Sequence, residues 1–360
     1  MNNLIIYFLR FFDPETAHKI AIEILSKNYF FSYDTPELIT KISNIEFKNP
    51  IGLAAGLDKS GKCFDGIFKL GFSSVEIGTV TPHSQKGNSK PRVFRLNQDK
   101  GVVNRYGFNN EGIDIIKKRI QSTSNRKGIL GVNIGPNKNS KDPINDFRIV
   151  AKNLSKYCDY LTINISSPNT PGLRSMQKKE ILCEVINATK EGIKEAGSTK
   201  PIFLKISPDT NFSMIEDIVD ISITKNLDAL IISNTTIKRS KFLKSSFKNE
   251  KGGLSGYPLF QRSTKLLAEV NNITNGKIDL IGVGGVENAD QAYTKILVGA
   301  NLVQLYTGLL FQGPNIVKVI TIKLIEKLQR DGFKSLKDAI GSLSYKEATK
   351  LNNLEKWYKL

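Results

Sequence analysis

Tyr160-Leu-Thr-Ile-Asn-Ile165 runs directly into Ser166-Ser-Pro-Asn-Thr-Pro-Gly172, so an apolar stretch becomes hydroxyls, amides, two prolines and a glycine within one residue. A short apolar run that closes on turn residues reads as a buried strand followed by a loop. Pro168 and Pro171 stiffen that loop, so the groups it carries are held in place. Asn164 and Asn169 each offer donors and an acceptor, which suits a flat, amide-bearing ligand, and Ser166 or Ser167 stands beside them as a candidate proton acceptor. Taken alone, Pro168-Asn169 also fits an ordinary turn.

The same pattern, an apolar run closing on Gly or polar residues, recurs along the chain. It is found at residues 51–55, 74–77, 129–134, 160–165, 202–206, 229–232, 278–283 and 302–305. Helical periodicity fills most of the gaps, over 110–121, 144–157, 177–196, 212–225, 259–273, 287–297 and 313–329. Continuous apolar strands alternating with amphipathic helices predict an α/β fold, a (β/α)8 (TIM) barrel, with a doubly wound sheet as the structural alternative. In the barrel every polar closure emerges at the C-terminal rim, where barrel active sites are built. Two longer interruptions, residues 79–109 and 235–257, become elaborated rim loops of lid size.

A separate element precedes the barrel. Residues 3–12 are almost wholly apolar, and Asp13-Pro14 supplies a cap and a first-turn proline. Ala17, Ile20, Ala21, Ile24 and Leu25 then share one helical face. The expected division is an N-terminal two-helix apolar extension at 1–45, the barrel at 46–341 and a tail at 342–360. The two helices either pack on the barrel or lie in a membrane interface. The Lys-, Leu-, Trp- and Tyr-containing tail suits an exposed helix or a second membrane contact.

Composition narrows the function classes. The net charge of +18 comes from scattered lysines with no basic block and no RNA-binding signature, which argues against a nucleic-acid partner and leaves room for attraction to anionic lipid. Cys63, Cys158 and Cys183 are too far apart for a metal or redox motif, and their odd number argues against a disulfide framework. No metal site is expected. His18 and His83 lie far from the serine loop in sequence, which weakens a Ser-His-Asp hydrolase reading. No apolar run approaches the length of a spanning helix.

Three glycine-containing closures are suited to a phosphate: Gly252-Gly-Leu-Ser-Gly256, Gly282-Val-Gly-Gly285 and Tyr306-Thr-Gly308. The last two follow the final two strands, where barrel phosphate sites lie. Lys59 follows the first strand and Lys205 ends the fifth; such a lysine serves as a Schiff-base nucleophile, as in an aldolase, or as a fixed charge beside an anion. Asn104-Arg105-Tyr106-Gly107-Phe108, Asn133 and Ser233-Asn234-Thr235 add further amides to the same rim.

Ala54-Ala-Gly-Leu-Asp-Lys59, Glu76-Ile-Gly-Thr79, Pro91-Arg-Val-Phe-Arg95, Asn104-Arg-Tyr-Gly-Phe-Asn109 and residues 164–174, 252–256 and 282–285 together resemble the dihydroorotate dehydrogenase family, in its membrane-associated, quinone-reducing class. The resemblance runs from about residue 12 to about residue 341. It implies an FMN enzyme that oxidises dihydroorotate to orotate in pyrimidine synthesis and passes the electrons to a ubiquinone-like membrane quinone. It implies Ser167 as the base, where the soluble class has cysteine, with Thr170 and Phe108 placing a relay water. Ala55, Gly56, Thr79, Asn133, Asn164, Lys205, Ser233, Gly256, Gly285, Tyr306 and Thr307 are the implied cofactor contacts; Ser233 replaces a threonine but keeps the hydroxyl.

Lys59, Asn104, Arg105, Tyr106, Gly107, Phe108, Asn164, Asn169, Asn234 and Thr235 are the implied substrate contacts. His18, Arg95 and Tyr306 resemble the quinone-head contacts. The implied location is peripheral, on the cytoplasmic face of the inner membrane. Rival classes are an FMN barrel that modifies tRNA uridines (tRNA dihydrouridine synthase-like), a Schiff-base aldolase using Lys205, and a non-catalytic lipid-binding barrel.

Overall fold

Each of the eight apolar runs becomes a barrel strand: β3 (Ile51–Leu53), β4 (Ser74–Val80), β7 (Ile129–Ile134), β8 (Tyr160–Asn164), β9 (Ile202–Ile206), β10 (Ala229–Ile232), β12 (Asp279–Val283) and β13 (Leu302–Leu305). The structure is a computed structural model that describes residues 8–27, 35–123, 126–343 and 347. These strands are parallel and buried on both faces, which is why their sequences read as unbroken apolar runs. They close in the order β10-β12-β13-β3-β4-β7-β8-β9, so the doubly wound alternative does not apply.

The strand ends differ from expectation in one informative place. β4 does not stop at Ile77: after a register shift Val80 pairs with Ile134, so Thr79 belongs to an irregular strand and not to a loop. Inside the barrel Tyr160, Phe203, Ile231, Ile281 and Leu302 form a packed plug, with the Tyr160 and Phe203 rings stacked at 4.3 Å. Such a pair adds about 0.5–1.5 kcal/mol beyond its area burial.

A hairpin of β1 (Thr40–Ile42) and β2 (Ile45–Phe47) seals the lower end, placing Ile42, Ile45 and Phe47 against that plug. It straddles the expected boundary at residue 45. The outer helices follow the expected segments: α3 (Ile113–Ser122), α4 (Pro143–Leu154), α5 (Lys179–Glu195), α6 (Phe212–Thr224), α7 (Phe260–Thr274), α8 (Ala289–Leu297) and α10 (Ile316–Arg330). Three short helices were not anticipated, α2 (Phe64–Phe68), α9 (Thr307–Gln312) and α11 (Leu336–Ala339).

The two long interruptions meet over the rim as a three-stranded antiparallel sheet, β11-β6-β5, formed by β5 (Val93–Leu96), β6 (Gly101–Asn104) and β11 (Gly253–Gly256). Phe94, Leu96, Val103, Leu243 and Leu254 give this sheet its own small core. Asp99 accepts hydrogen bonds from the Lys244 and Ser245 amides, and Arg239 donates to the Lys248, Glu250 and Gly252 carbonyls. The 235–257 segment is therefore strapped down.

Helix α1 (Pro14–Ser26) starts as its sequence demands. Asp13 accepts from the Glu15 and Thr16 amides at 3.1 Å, and Pro14 occupies the first turn. Leu25 enters the main core, and Glu15 pairs with Arg92 at 2.8 Å, fixing α1 against the rim sheet. Residues 3–7 of the expected first helix, and all of the 342–360 tail except Ser342, Leu343 and Glu347, lie outside the described residues.

Candidate active site

The floor of the site is a chain of amides and hydroxyls contributed by neighbouring strands. Thr79 Oγ1 donates to Asn133 Oδ1 at 2.5 Å, and Asn164 Nδ2 donates to both Thr79 Oγ1 and Asn133 Oδ1 at 3.0 Å. Asn164 Oδ1 accepts from Ser166 Oγ at 3.1 Å and from Asn234 Nδ2 at 3.3 Å. Below them sits Glu76, fully buried, which accepts from Asn133 Nδ2 (2.8 Å), Thr162 Oγ1 (3.1 Å), Gln304 Nε2 (3.1 Å) and Tyr160 OH (3.3 Å). Four donors offset the cost of a carboxylate in the barrel interior and lock every amide above it in one orientation.

Above this floor lies one continuous cavity of about 290 Å³ that holds most of the sequence-predicted site. Ala55, Gly56, Lys59, Thr79, Asn104, Tyr106, Gly107, Phe108, Asn164, Ser167, Asn169, Lys205, Ser233, Asn234, Thr235, Gly256, Gly285, Tyr306 and Thr307 all line it, as do His18 and Arg95. Among the described residues no aspartate or glutamate does, while Arg10, Lys59, Arg95 and Lys205 do. Such a field favours anionic ligands.

Three sequence-predicted residues stand outside the lining. Arg105 faces away: it pairs with Glu250 at 2.7 Å and donates to the Pro91 and Lys251 carbonyls, so it straps the rim segments together and does not line the cavity. Asn133 lies one layer down, holding Thr79 and Asn164 and touching the cavity only through them. Thr170 is buried beside the same loop, and its Oγ1 has no hydrogen-bond partner among the described residues.

Ser167 is 7 % exposed, and its Oγ accepts from the Asn169 amide at 3.3 Å. Arg174 clamps the loop that carries it, bonding the Ser166 and Thr235 carbonyls and Asp209, each at 3.1 Å. Asn169 Nδ2 donates to Asn104 Oδ1 at 3.2 Å, joining the serine loop to the rim sheet. Phe108 reaches the same corner from a left-handed backbone position, φ 54°.

Lys59 donates to the Gly56 carbonyl at 2.5 Å and sits 4.1 Å from the centre of the Tyr106 ring. Burial pulls its pKa down to about 8. His18 lies 3.5 Å from Lys59 and 3.4 Å from the Tyr306 hydroxyl; burial, then the neighbouring cation, hold the imidazole well below its ordinary value, so it is neutral. Lys205, buried on β9, has its pKa lowered by burial, with Glu76 opposing, and its ammonium has no hydrogen-bond partner among the described residues.

At the far end, Gly285 (φ 80°) lies so close to the Phe260 backbone that a Cβ would come within 2.5 Å of its Cα. Gly256 (φ 89°) is equally pressed against the Lys100 carbonyl. Only glycine fits either place, and the backbones left bare form a cradle with Thr307, whose hydroxyl is 2.8 Å from that of Ser255. At the other end the cavity becomes apolar, walled by Ala17, Ala21, Ile24 and Leu25 of α1; Ile20 lies outside this wall.

A glycine cradle at Gly256 and Gly285, beside Thr307, joined to an amide-lined cavity that no aspartate or glutamate lines among the described residues, is an arrangement suited to a phosphorylated ligand with an anionic partner. The sequence profile of the dihydroorotate dehydrogenase family matches residues 37–328. The chain is 44% identical to the dihydroorotate dehydrogenase (quinone) of Bartonella tribocorum over 353 residues, covering 96% of this chain and 95% of that one. It is also 44% identical to the protein of the same name from Parvibaculum lavamentivorans, covering 92% and 95%. The crystal structure of the Eimeria tenella DHODH with ferulenol superposes with a TM-score of 0.88 at 37% identity, covering 92% of this chain and 95% of that one. The chain belongs to the dihydroorotate dehydrogenase family, whose members are flavin-dependent oxidoreductases. This assignment takes the place of the aldolase, RNA-modifying and lipid-carrier readings.

Proposed function

We propose that this protein oxidises (S)-dihydroorotate to orotate with FMN as the bound hydride acceptor and a membrane quinone as the final oxidant, the redox step of pyrimidine synthesis. One observation carries the reading most strongly: the serine loop, five asparagines, Lys59 and Lys205 converge on one cavity that no acid lines among the described residues and that opens into an apolar passage walled by α1. Purified protein should oxidise dihydroorotate with a ubiquinone analogue and not with NAD⁺; turnover with NAD⁺ alone would contradict it.

The residues present fit FMN. An unpartnered buried ammonium, Lys205, suits the electron-rich pyrimidine end of the ring, and the glycine cradle at Gly256 and Gly285 suits the phosphate. When bound, FMN supplies the hydride acceptor. Asn104, Asn164, Asn169 and Asn234 present amides to the substrate ring, and Lys59 faces its carboxylate. Ser167 removes the C5 proton at Oγ as hydride leaves C6. Its own proton passes on toward Thr170, a reading supported by the buried Thr170 hydroxyl, which has no hydrogen-bond partner among the described residues, and by Phe108 in the cavity wall.

Helix α1 gives quinone its route, with neutral His18, Arg95 and Tyr306 at the inner end. Among the described residues no helix is long and apolar enough to cross a membrane, so the proposed association is peripheral, through α1 and the exposed Phe8 and Phe11, on the cytoplasmic face of the inner membrane.

Lys59 makes this testable by pH. It is charged below about pH 8 and neutral above it in the unliganded protein. A bound carboxylate stabilises the charged form, so the orotate dissociation constant should rise with pH above about 8, by up to about tenfold per unit. Lys59→Met should weaken binding at neutral pH and flatten this rise; an unchanged slope in the variant would remove Lys59 from the carboxylate site.

A further inference from the structure

Lys295 on α8 is 0 % exposed, and its only hydrogen bonds among the described residues are to two hydroxyls, Ser263 Oγ at 2.9 Å and Thr264 Oγ1 at 3.1 Å, both in the first turns of α7. Among the described residues no acidic neighbour offsets its burial, which pulls its pKa down to about 7. Its stem crosses β12 where Gly282 leaves room, since a Cβ there would lie 3.0 Å from Lys295 Cδ. A methionine would fill similar space without desolvating a charge, so packing alone does not account for an ammonium here.

The link to the site runs through Ser263. Its hydroxyl has one proton to give and two carbonyls within reach, Gly284 at 3.0 Å and Phe260 at 3.1 Å. The Gly284 carbonyl and the Gly285 N–H belong to one peptide group, and Gly285 is part of the cradle described above. A cation that donates to Ser263 makes that hydroxyl a stronger donor to Gly284, and this polarises the Gly285 N–H toward an incoming anion.

We propose that Lys295 is a positioning residue for the cofactor phosphate, acting from behind the Gly284-Gly285 loop through Ser263. This rests on the FMN reading above. The loop gains rigidity from the Ser263 link and positive potential from a charge that never meets the ligand.

The test is a titration of full-length, flavin-stripped protein with FMN and with riboflavin, which differs only by the phosphate. Lys295→Met should raise the FMN dissociation constant about tenfold, equivalent to about 1.4 kcal/mol, and change that of riboflavin less than about twofold. Ser263→Ala, which keeps the cation but cuts the link, should lose part of the same selectivity. Should Lys295→Met fail to fold, Ser263→Ala decides alone. Equal weakening of both flavins, or an FMN-to-riboflavin ratio unchanged in the variants, would overturn the proposal. A wild-type protein with no preference for FMN would instead overturn the phosphate site, and the inference with it.

Discussion

Ser167→Ala slows the anaerobic reduction of the bound flavin by dihydroorotate by about 10²- to 10⁴-fold, the range typical of a placed proton-transfer group. The serine is the only part of the constellation whose chemistry cannot be supplied by a neighbour. Ser166, the next hydroxyl along, already donates to Asn164 Oδ1 and accepts from Asn234 Nδ2. Thr170 lies outside the cavity lining. Flavin content should stay normal, because the contact recorded for Ser167 Oγ is with the Asn169 amide and not with the cradle. Orotate should still bind, since the asparagines and Lys59 are untouched. Stopped-flow absorbance measures the rate directly, and a variant that bleaches at the wild-type rate would remove Ser167 as the base.

Removing residues 1–34 should have the opposite selectivity. Dihydroorotate should still bleach the flavin within a few-fold of the wild-type rate, because Ser167, Lys205 and the asparagines all stand on barrel strands or on loops the deletion leaves in place. Reoxidation by a ubiquinone analogue should fall about a hundredfold, the order of loss when an acceptor is no longer held in a productive position. Helix α1 supplies Ala17, Ala21, Ile24 and Leu25 to the apolar end of the cavity, and His18 with it. Ferricyanide, a small anion that needs no apolar path, should reoxidise both proteins alike. Equal quinone rates would show that electrons leave by another route. The deletion also strips Glu15 from Arg92, but the Lys86 and Asn88 carbonyls still accept from that guanidinium, so the rim sheet keeps its strap.

The barrel was legible because each strand is buried on both faces, which leaves an apolar run that no surface element imitates. The rim sheet was not. β5, β6 and β11 are four residues each, and β6 pairs with β11 about 150 residues further on (Val103 with Leu254), so no local periodicity announces them. The hairpin β1–β2 escaped for the same reason, with only three residues per strand.

Within the site, amides at strand ends were readable because polar residues closing an apolar strand have few structural reasons to be there. Arg105 lies outside the lining while its neighbours Asn104 and Tyr106 are in it, because successive residues leaving an extended strand face opposite ways, which a motif read as one string does not show. Glu76 stood in a quoted motif, yet its role as the anchor beneath the amides depends on Tyr160, Thr162 and Gln304, scattered over two other strands. Lys295 looked like any other lysine on a helix; only the fold reveals that it is buried behind the Gly284-Gly285 loop, to which Ser263 links it.

The central claim is that one chain reduces a flavin with dihydroorotate and reoxidises it with quinone. Anaerobic absorbance of the purified protein tests it most directly: add dihydroorotate, follow the flavin band, then add a ubiquinone analogue. The account predicts that the band bleaches on the first addition, returns on the second, and leaves one orotate for each flavin reduced. A flavin that dihydroorotate cannot bleach, or one that bleaches and stays reduced in the presence of quinone, would contradict it.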